Sequence, residues 1–296
     1  MTPEDRPIGV FDSGLGGLTV ARALLDLLPG EHVVYFGDTG RFPYGPKPAE
    51  DVLKYSLEIV DVLLDRAVKM IVIACNSASA AALDQLRDRL DVPVVGVIEP
   101  GLRAAARVTR SGRIGVIGTV GTIASGAYQR AGARIDAELE LTCAACPGFV
   151  EFVEQGDVDS DQVHVLAERL LAPVREAAVD TLVLGCTHYP LLARTIADVM
   201  GPDVVLVSSA DETAFEVRAT LGASEDHCAD AASEGVAVAS SPESRASTSR
   251  VSRRLARATE KRSVNFITSG DVEMFRMLGA QFLGPEVERV EAWSWS

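Results

Sequence analysis

Cys75 and Cys186 hold matching places in two variants of one string, Ile71-Val72-Ile73-Ala74-Cys75-Asn76-Ser77 and Leu182-Val183-Leu184-Gly185-Cys186-Thr187-His188. In each, an apolar run ends in a small residue, a cysteine and a polar pair. Such a run reads as a buried parallel strand that delivers its last residues to the carboxyl edge of a sheet, where open α/β folds bind ligands. A thiolate is a competent base as well as a nucleophile, and a strand-to-helix junction is expected to lower its pKa through the helix amino terminus. A nucleophilic hydrolase would pair Cys186 with His188 and leave Cys75 without a role. Two acid/base thiols, one from each half of the chain, suit proton exchange at a carbon: one removes a proton from one face while the other donates to the opposite face.

Other residues carry weaker chemical signals. The turn Asp12-Ser13-Gly14-Leu15-Gly16-Gly17 can cradle an anion at a helix start, because glycines permit close backbone approach to outward-pointing N–H groups. It matches neither G-x-G-x-x-G nor a P-loop, so a small carboxylate suits it better than a nucleotide phosphate. Cys143-x-x-Cys146 and Cys186-x-His188 do not complete a zinc spacing. Pro147-Gly148 directly after Cys146 argue against the strand-to-helix setting of a redox pair, so Cys143 and Cys146 read as buried, inert thiols and Cys228 as exposed. The lysines, Lys47, Lys54, Lys69 and Lys261, stand in no convincing Schiff-base context, which argues against pyridoxal phosphate. No cofactor and no metal are expected.

The elements that must position these groups alternate. Strands are expected at Ile8–Phe11, His32–Phe36, the first cysteine string, Val94–Ile98, Ile114–Gly118, Leu139–Cys143, Thr181–Leu184, Val204–Val207 and from Val264, with helices at Leu18–Leu28, Ala49–Ala67 and Val272–Leu278. This alternation is the mark of parallel sheets flanked by helices. Gly37 to Pro46, with three glycines and two prolines, reads as an irregular loop. The first strand string, Ile8 to Gly14, also has a partner in Ile114 to Val120. The repeat predicts two pseudo-symmetric α/β lobes facing each other across a cleft, residues 1–97 with 208–296 forming one and 98–207 the other. The polar stretch 223–262, rich in Ala, Ser, Glu and Arg, reads as an inserted, mobile loop.

Composition narrows the class. A chain of 296 residues, 47% hydrophobic and 24% charged, is ordinary globular material. Its formal net charge of −14 argues against nucleic acid or an anionic membrane as a partner. An odd number of cysteines, with neither a leader-like amino terminus nor a membrane-length apolar run, points to the cytoplasm.

Together the strings D-S-G-L-G-G-L-T-V (Asp12–Val20), P-Y-G (Pro43–Gly45), A-C-N-S (Ala74–Ser77), G-T-V-G-T (Gly118–Thr122) and G-C-T-H-Y-P (Gly185–Pro190) resemble the cofactor-independent glutamate racemases of the aspartate/glutamate racemase family. The likeness covers nearly the whole chain. It implies that Cys75 and Cys186 are the acid/base pair and that Asp12, Glu154 and His188 assist them. It further implies that Asp12, Ser13, Pro43, Tyr44, Gly45, Asn76, Ser77, Thr119, Thr122, Thr187 and His188 hold glutamate, and that the product, D-glutamate, feeds peptidoglycan synthesis. Three departures stand out: Glu151 where the family's F-V-P-L-V-E run has proline, Ser77 where threonine is common, and the length of 223–262. Two alternatives stay open, a racemase of aspartate or a related amino acid on the same architecture and a non-catalytic amino-acid-binding relative. The oligomeric state is also open, a homodimer included.

Overall fold

The computed structural model describes residues 5–233 and 263–295. Within them, ten strands form two wholly parallel sheets. The larger sheet contains β1 (Ile8–Asp12), β2 (Val33–Gly37), β3 (Met70–Ile73), β4 (Val94–Gly96), β9 (Val264–Thr268) and β10 (Val290–Ala292). Its order is β10-β9-β2-β1-β3-β4. The smaller contains β5 (Arg113–Gly118), β6 (Glu140–Ala145), β7 (Thr181–Gly185) and β8 (Val205–Ser208), in the order β6-β5-β7-β8. The segment β2-β1-β3-β4 of the first sheet therefore has the same topology as the whole of the second. The strings that repeat in the sequence are its equivalent strands, β1 with β5 and β3 with β7.

Helices cover both faces of each sheet because parallel strands, apolar on both sides, need covering on both. They are α1 (Leu18–Leu27), α2 (Ala49–Asp65), α3 (Asn76–Arg89), α4 (Ile98–Val108), α5 (Val120–Ala124), α6 (Ala127–Ile135), α7 (Phe149–Glu154), α8 (Asp161–Glu176), α9 (Ala193–Met200), α10 (Ser209–Ser233) and α11 (Val272–Leu283). One core joins Val10, Val72 and Phe266 to α1 and α10 through Leu24 and Val217; a second joins Phe11, Ile71 and Ile73 to α2 and α3 through Ile59 and Leu86. The smaller sheet is flanked likewise, by Phe149, Leu171 and Ile196 on one face and Ile98, Leu102 and Tyr128 on the other.

Several local expectations need correction. Thr39–Arg41 is a turn of 3-10 helix inside the segment expected to be irregular; Asp38 at its start takes a hydrogen bond from Arg41 Nε at 2.7 Å, closing the turn. Val94 starts a strand of only three residues, and Ile98 already belongs to α4. The helix after β8 runs on through Ser233, so the first part of 223–262 is helical rather than loop: Ala and Glu favour a helix even without an apolar stripe. Residues 234–262 lie outside the described residues, as does the Cys228 side chain.

Candidate active site

Parallel register brings the chemistry to one edge of each sheet. Phe11 pairs with Ile73, so Asp12-Ser13 and Ala74-Cys75 leave the larger sheet side by side; Gly118 pairs with Gly185, so Thr119 and Cys186 do the same on the smaller. The two edges share a cavity of about 80 Å³, room for several waters and thus for a small zwitterion rather than a nucleotide. Its lining includes Ser13, Pro43, Tyr44, Gly45, Cys75, Asn76, Ser77, Thr119, Cys186, Thr187 and His188. Three residues expected in the site stand behind this lining. Asp12 is wholly buried, with Oδ2 taking the Gly14 N–H at 2.9 Å. Thr122 is wholly buried and its hydroxyl lies 3.1 Å from Ser77 Oγ and 2.9 Å from Thr119 Oγ1. Glu154 reaches the site only through His188.

The two cysteines differ in their surroundings. Cys75 is the N-cap of α3, its Sγ taking the Ala78 N–H at 3.5 Å and donating to Ser13 Oγ at 3.7 Å. The expected lowering of its pKa is not met. Burial, reinforced by the Asp12 charge, pushes the thiol up to about 12 against the opposing pull of the Ala78 N–H and the Ser13 hydroxyl. Cys186 instead lies beside an imidazole: its Sγ is 3.9 Å from His188 Nδ1, and His188 Nε2 is 2.6 Å from Glu154 Oε1. Burial alone would lower the His188 pKa, yet its bonds to Cys186 and Glu154, with the nearby charges, raise it to about 10. The helix expected after Cys186 is delayed: Tyr189–Leu192 is a 3-10 turn, and α9 begins at Ala193.

The redox setting rejected for Cys146 exists in shape, since β6 passes through Pro147-Gly148 into α7. Gly148 makes this turn possible with a φ of +96°, a conformation that glycine adopts without a Cβ clash. Cys146 is buried as expected but also lines the cavity, which sequence reasoning missed; Cys143 is only half-buried. Phe42, Val120, Val150 and Glu151 complete walls that the sequence did not assign. The available signal for Cys146 was its place at the carboxyl end of a strand, like Cys75 and Cys186. Phe42 stacks on His188, ring centroids 5.8 Å apart. Among the described residues no three His, Cys, Asp or Glu side chains converge as a metal site, and no helix is long and apolar enough to cross a membrane.

Gly16 belongs to the β1–α1 turn but touches residues of the other sheet. A Cβ added there would lie 2.3 Å from Thr187 Oγ1 and 2.7 Å from His188 Nδ1. Gly16→Ala is therefore expected to displace the Cys186 partners, lowering kcat/KM about tenfold or more and stability by about 1–3 kcal/mol. Turnover and urea unfolding of the variant check both.

The chain matches the model of the Asp/Glu/Hydantoin racemase family over residues 8–217. It is 51% identical over 291 residues to a glutamate racemase of Beutenbergia cavernae, covering 97% of this chain and 92% of that protein. Among solved structures, a glutamate racemase of Bacillus anthracis superposes with a TM-score of 0.80 at 36% identity, covering 99% of this chain and 98% of the other. The glutamate racemase of Francisella tularensis in complex with D-glutamate does so at 0.81 and 31%, covering 98% of each. With the strings, topology and cysteine-lined cavity in accord with these likenesses, the chain belongs to the Asp/Glu/hydantoin racemase family.

Proposed function

We propose that the protein interconverts L- and D-glutamate with Cys75 and Cys186 as opposed acid/base groups. The observation that carries this reading is the pair of thiols at the ends of topologically equivalent strands, β3 and β7, bordering one small cavity. One thiolate removes the proton from Cα, and the other thiol protonates the opposite face; the reverse reaction exchanges the roles. A thiol is far more acidic than an amino-acid α-C–H, so carbanion-like charge must be met by fixed donors. Ser77, Thr187 and the Asn76 amide border the cavity and supply them. Among the described residues Asn76 Oδ1 and Asp12 Oδ1 are buried without a protein partner, which supports acceptors for the substrate ammonium, Asn76 directly and Asp12 through its charge behind Ser13. Tyr44 and Gly45 line the same cavity, and we assign the distal carboxylate to their N–H groups.

His188, held by Glu154, stands beside Cys186 as its charged hydrogen-bond partner; Cys75 is instead met by its helix-cap N–H and Ser13. We further infer two lobes, residues 1–97 with 208–296 and residues 98–207, because each set contributes one sheet and its flanking cores. A cytoplasmic enzyme of this kind supplies D-glutamate for peptidoglycan.

Incubating the protein with L-glutamate in D2O, without added cofactor, tests the reading. D-glutamate carrying deuterium at Cα is the expected product, and retention of pure, unlabelled L-glutamate would refute it. Dialysis against a chelator with a thiol reductant is expected to leave the rate intact, and restoration of a lost rate by zinc or pyridoxal phosphate would show otherwise. Aspartate lacks one methylene, a difference worth about 10- to 200-fold in specificity, and competition between the two substrates measures it.

A further inference from the structure

Tyr44 lines the cavity, yet its hydroxyl is bonded to a residue outside the lining. That hydroxyl donates to Asp38 Oδ2, an acceptor shared with Arg41 Nε at 2.7 Å. The other oxygen, Oδ1, accepts from Ser269 Oγ at 2.5 Å and from the indole Nε1 of Trp295 at 3.1 Å. The Asp38 carboxylate is wholly buried, so its four donors stand in place of water. They come from three separate segments: the loop that carries Tyr44 and Gly45, the turn after β9, and the segment after β10.

The last segment is itself held firmly. Trp293 N–H donates to Thr268 O at 2.8 Å, and the Trp295 ring packs on Phe36 with centroids 5.5 Å apart. The Arg41 guanidinium lies between two rings, 3.7 Å from the Trp295 centroid and 4.1 Å from that of Tyr55, while its Nη1 pairs with Glu58. On the cavity side, Gly45 O accepts the Gly121 N–H at 2.9 Å, tying the same loop to α5 of the smaller sheet's side. The loop is thus anchored at one end by Asp38 and at the other by Gly121.

We propose that Trp295 is a positioning residue for substrate binding: through its hydrogen bond to Asp38 and its stacking on Arg41 it fixes the Tyr44–Gly45 loop against the distal carboxylate of the substrate. This rests on the reading above that the cavity holds glutamate. Trp295 touches no reacting atom. Its loss should therefore weaken affinity more than turnover, and equally for both enantiomers, because the distal carboxylate is common to both.

Trp295→Phe keeps a ring over Arg41 and removes the donor. Its KM for L- and D-glutamate is expected to rise about three- to tenfold, the range for one lost hydrogen bond, with kcat within about twofold. Trp293→Phe is the control on the same segment, since the Trp293 indole N–H has no partner among the described residues; both constants should stay within about twofold. The chain has only two tryptophans, so Trp293→Phe also leaves Trp295 as its sole indole. Its emission should then change saturably on titration with equilibrated glutamate. Should Trp295→Phe not fold, judged by circular dichroism and melting, Ser269→Ala removes a neighbouring donor to the same oxygen and is expected to raise KM similarly. An unchanged KM in the folded variant, equal effects in both tryptophan variants, or emission indifferent to glutamate would each overturn the proposal. Absence of turnover in the unaltered protein would instead reject the reading it rests on.

Discussion

Cys75→Ser and Cys186→Ser are each expected to lower racemisation by about 10³-fold or more, since a hydroxyl is a much weaker acid than a thiol and acid/base groups contribute roughly 10²–10⁴ each. The loss must be equal in both directions. Two enantiomers have the same free energy, so the ratio of kcat/KM for L- and D-glutamate is fixed at unity for every variant. The asymmetry between the two cysteines has to be read from a half-reaction. A glutamate with a leaving group on C3 loses it once the Cα proton is taken, and this needs one base rather than two. The Cys75→Ser variant should eliminate from the enantiomer whose proton faces Cys186, and Cys186→Ser from the other. Opposite preferences measured with the two resolved substrates would establish one thiol per face. The same preference in both variants, or near-full racemisation in either, would show that a single base serves both faces.

How much of this was legible in the chain depends on the range of the interactions concerned. The buried strands were readable because parallel sheets covered on both faces need continuous apolar runs, and Ile71–Ile73 and Leu182–Leu184 are such runs. Cys75 and Cys186 followed, since a residue directly after a buried parallel strand is delivered to the carboxyl edge. What eluded the sequence depends on distant partners. Asp38 closes a turn locally, but its bond to Trp295 spans 257 residues. Glu154 was named through the family resemblance alone, since nothing local shows that α7 brings it to His188, 34 positions away. The Cys75 pKa was misjudged because a helix terminus is a local feature whereas desolvation comes from the whole fold around it. The extension of α10 past Ala223 was missed for the opposite reason: the polar, apolar-poor pattern was weighted above the residues' own helix propensity.

His188→Asn is expected to lower kcat/KM by about 10²-fold or more, the scale for removing a preorganised charge beside a reacting group, and to change how stability responds to pH. The native imidazole holds its proton up to about pH 10, against 6.5 for an unperturbed histidine, because its bonds to Cys186 and Glu154 outweigh the burial that opposes the charge. Below pH 6.5 both folded and unfolded chains carry that proton, and the full stabilising difference is present. As pH rises from 6.5 toward 10 the unfolded chain has released the proton while the folded chain still binds it, so the contribution is progressively lost. The Cys75 thiol, pushed up from 9 to about 12 by burial, acts in the same sense over the higher window, because the unfolded thiol ionises first. The urea midpoint of the unaltered protein should therefore fall toward that of His188→Asn between pH 6.5 and 10, and both should decline together above pH 9. Glu154→Gln keeps the imidazole and weakens its anchor, so its activity loss should be smaller than that of His188→Asn, and the decline in stability, still starting near pH 6.5, should be smaller and end at lower pH. Midpoints of the unaltered protein and His188→Asn that run parallel from pH 6.5 to 10 would mean that the imidazole is neutral in the folded state and is not the fixed charge beside Cys186.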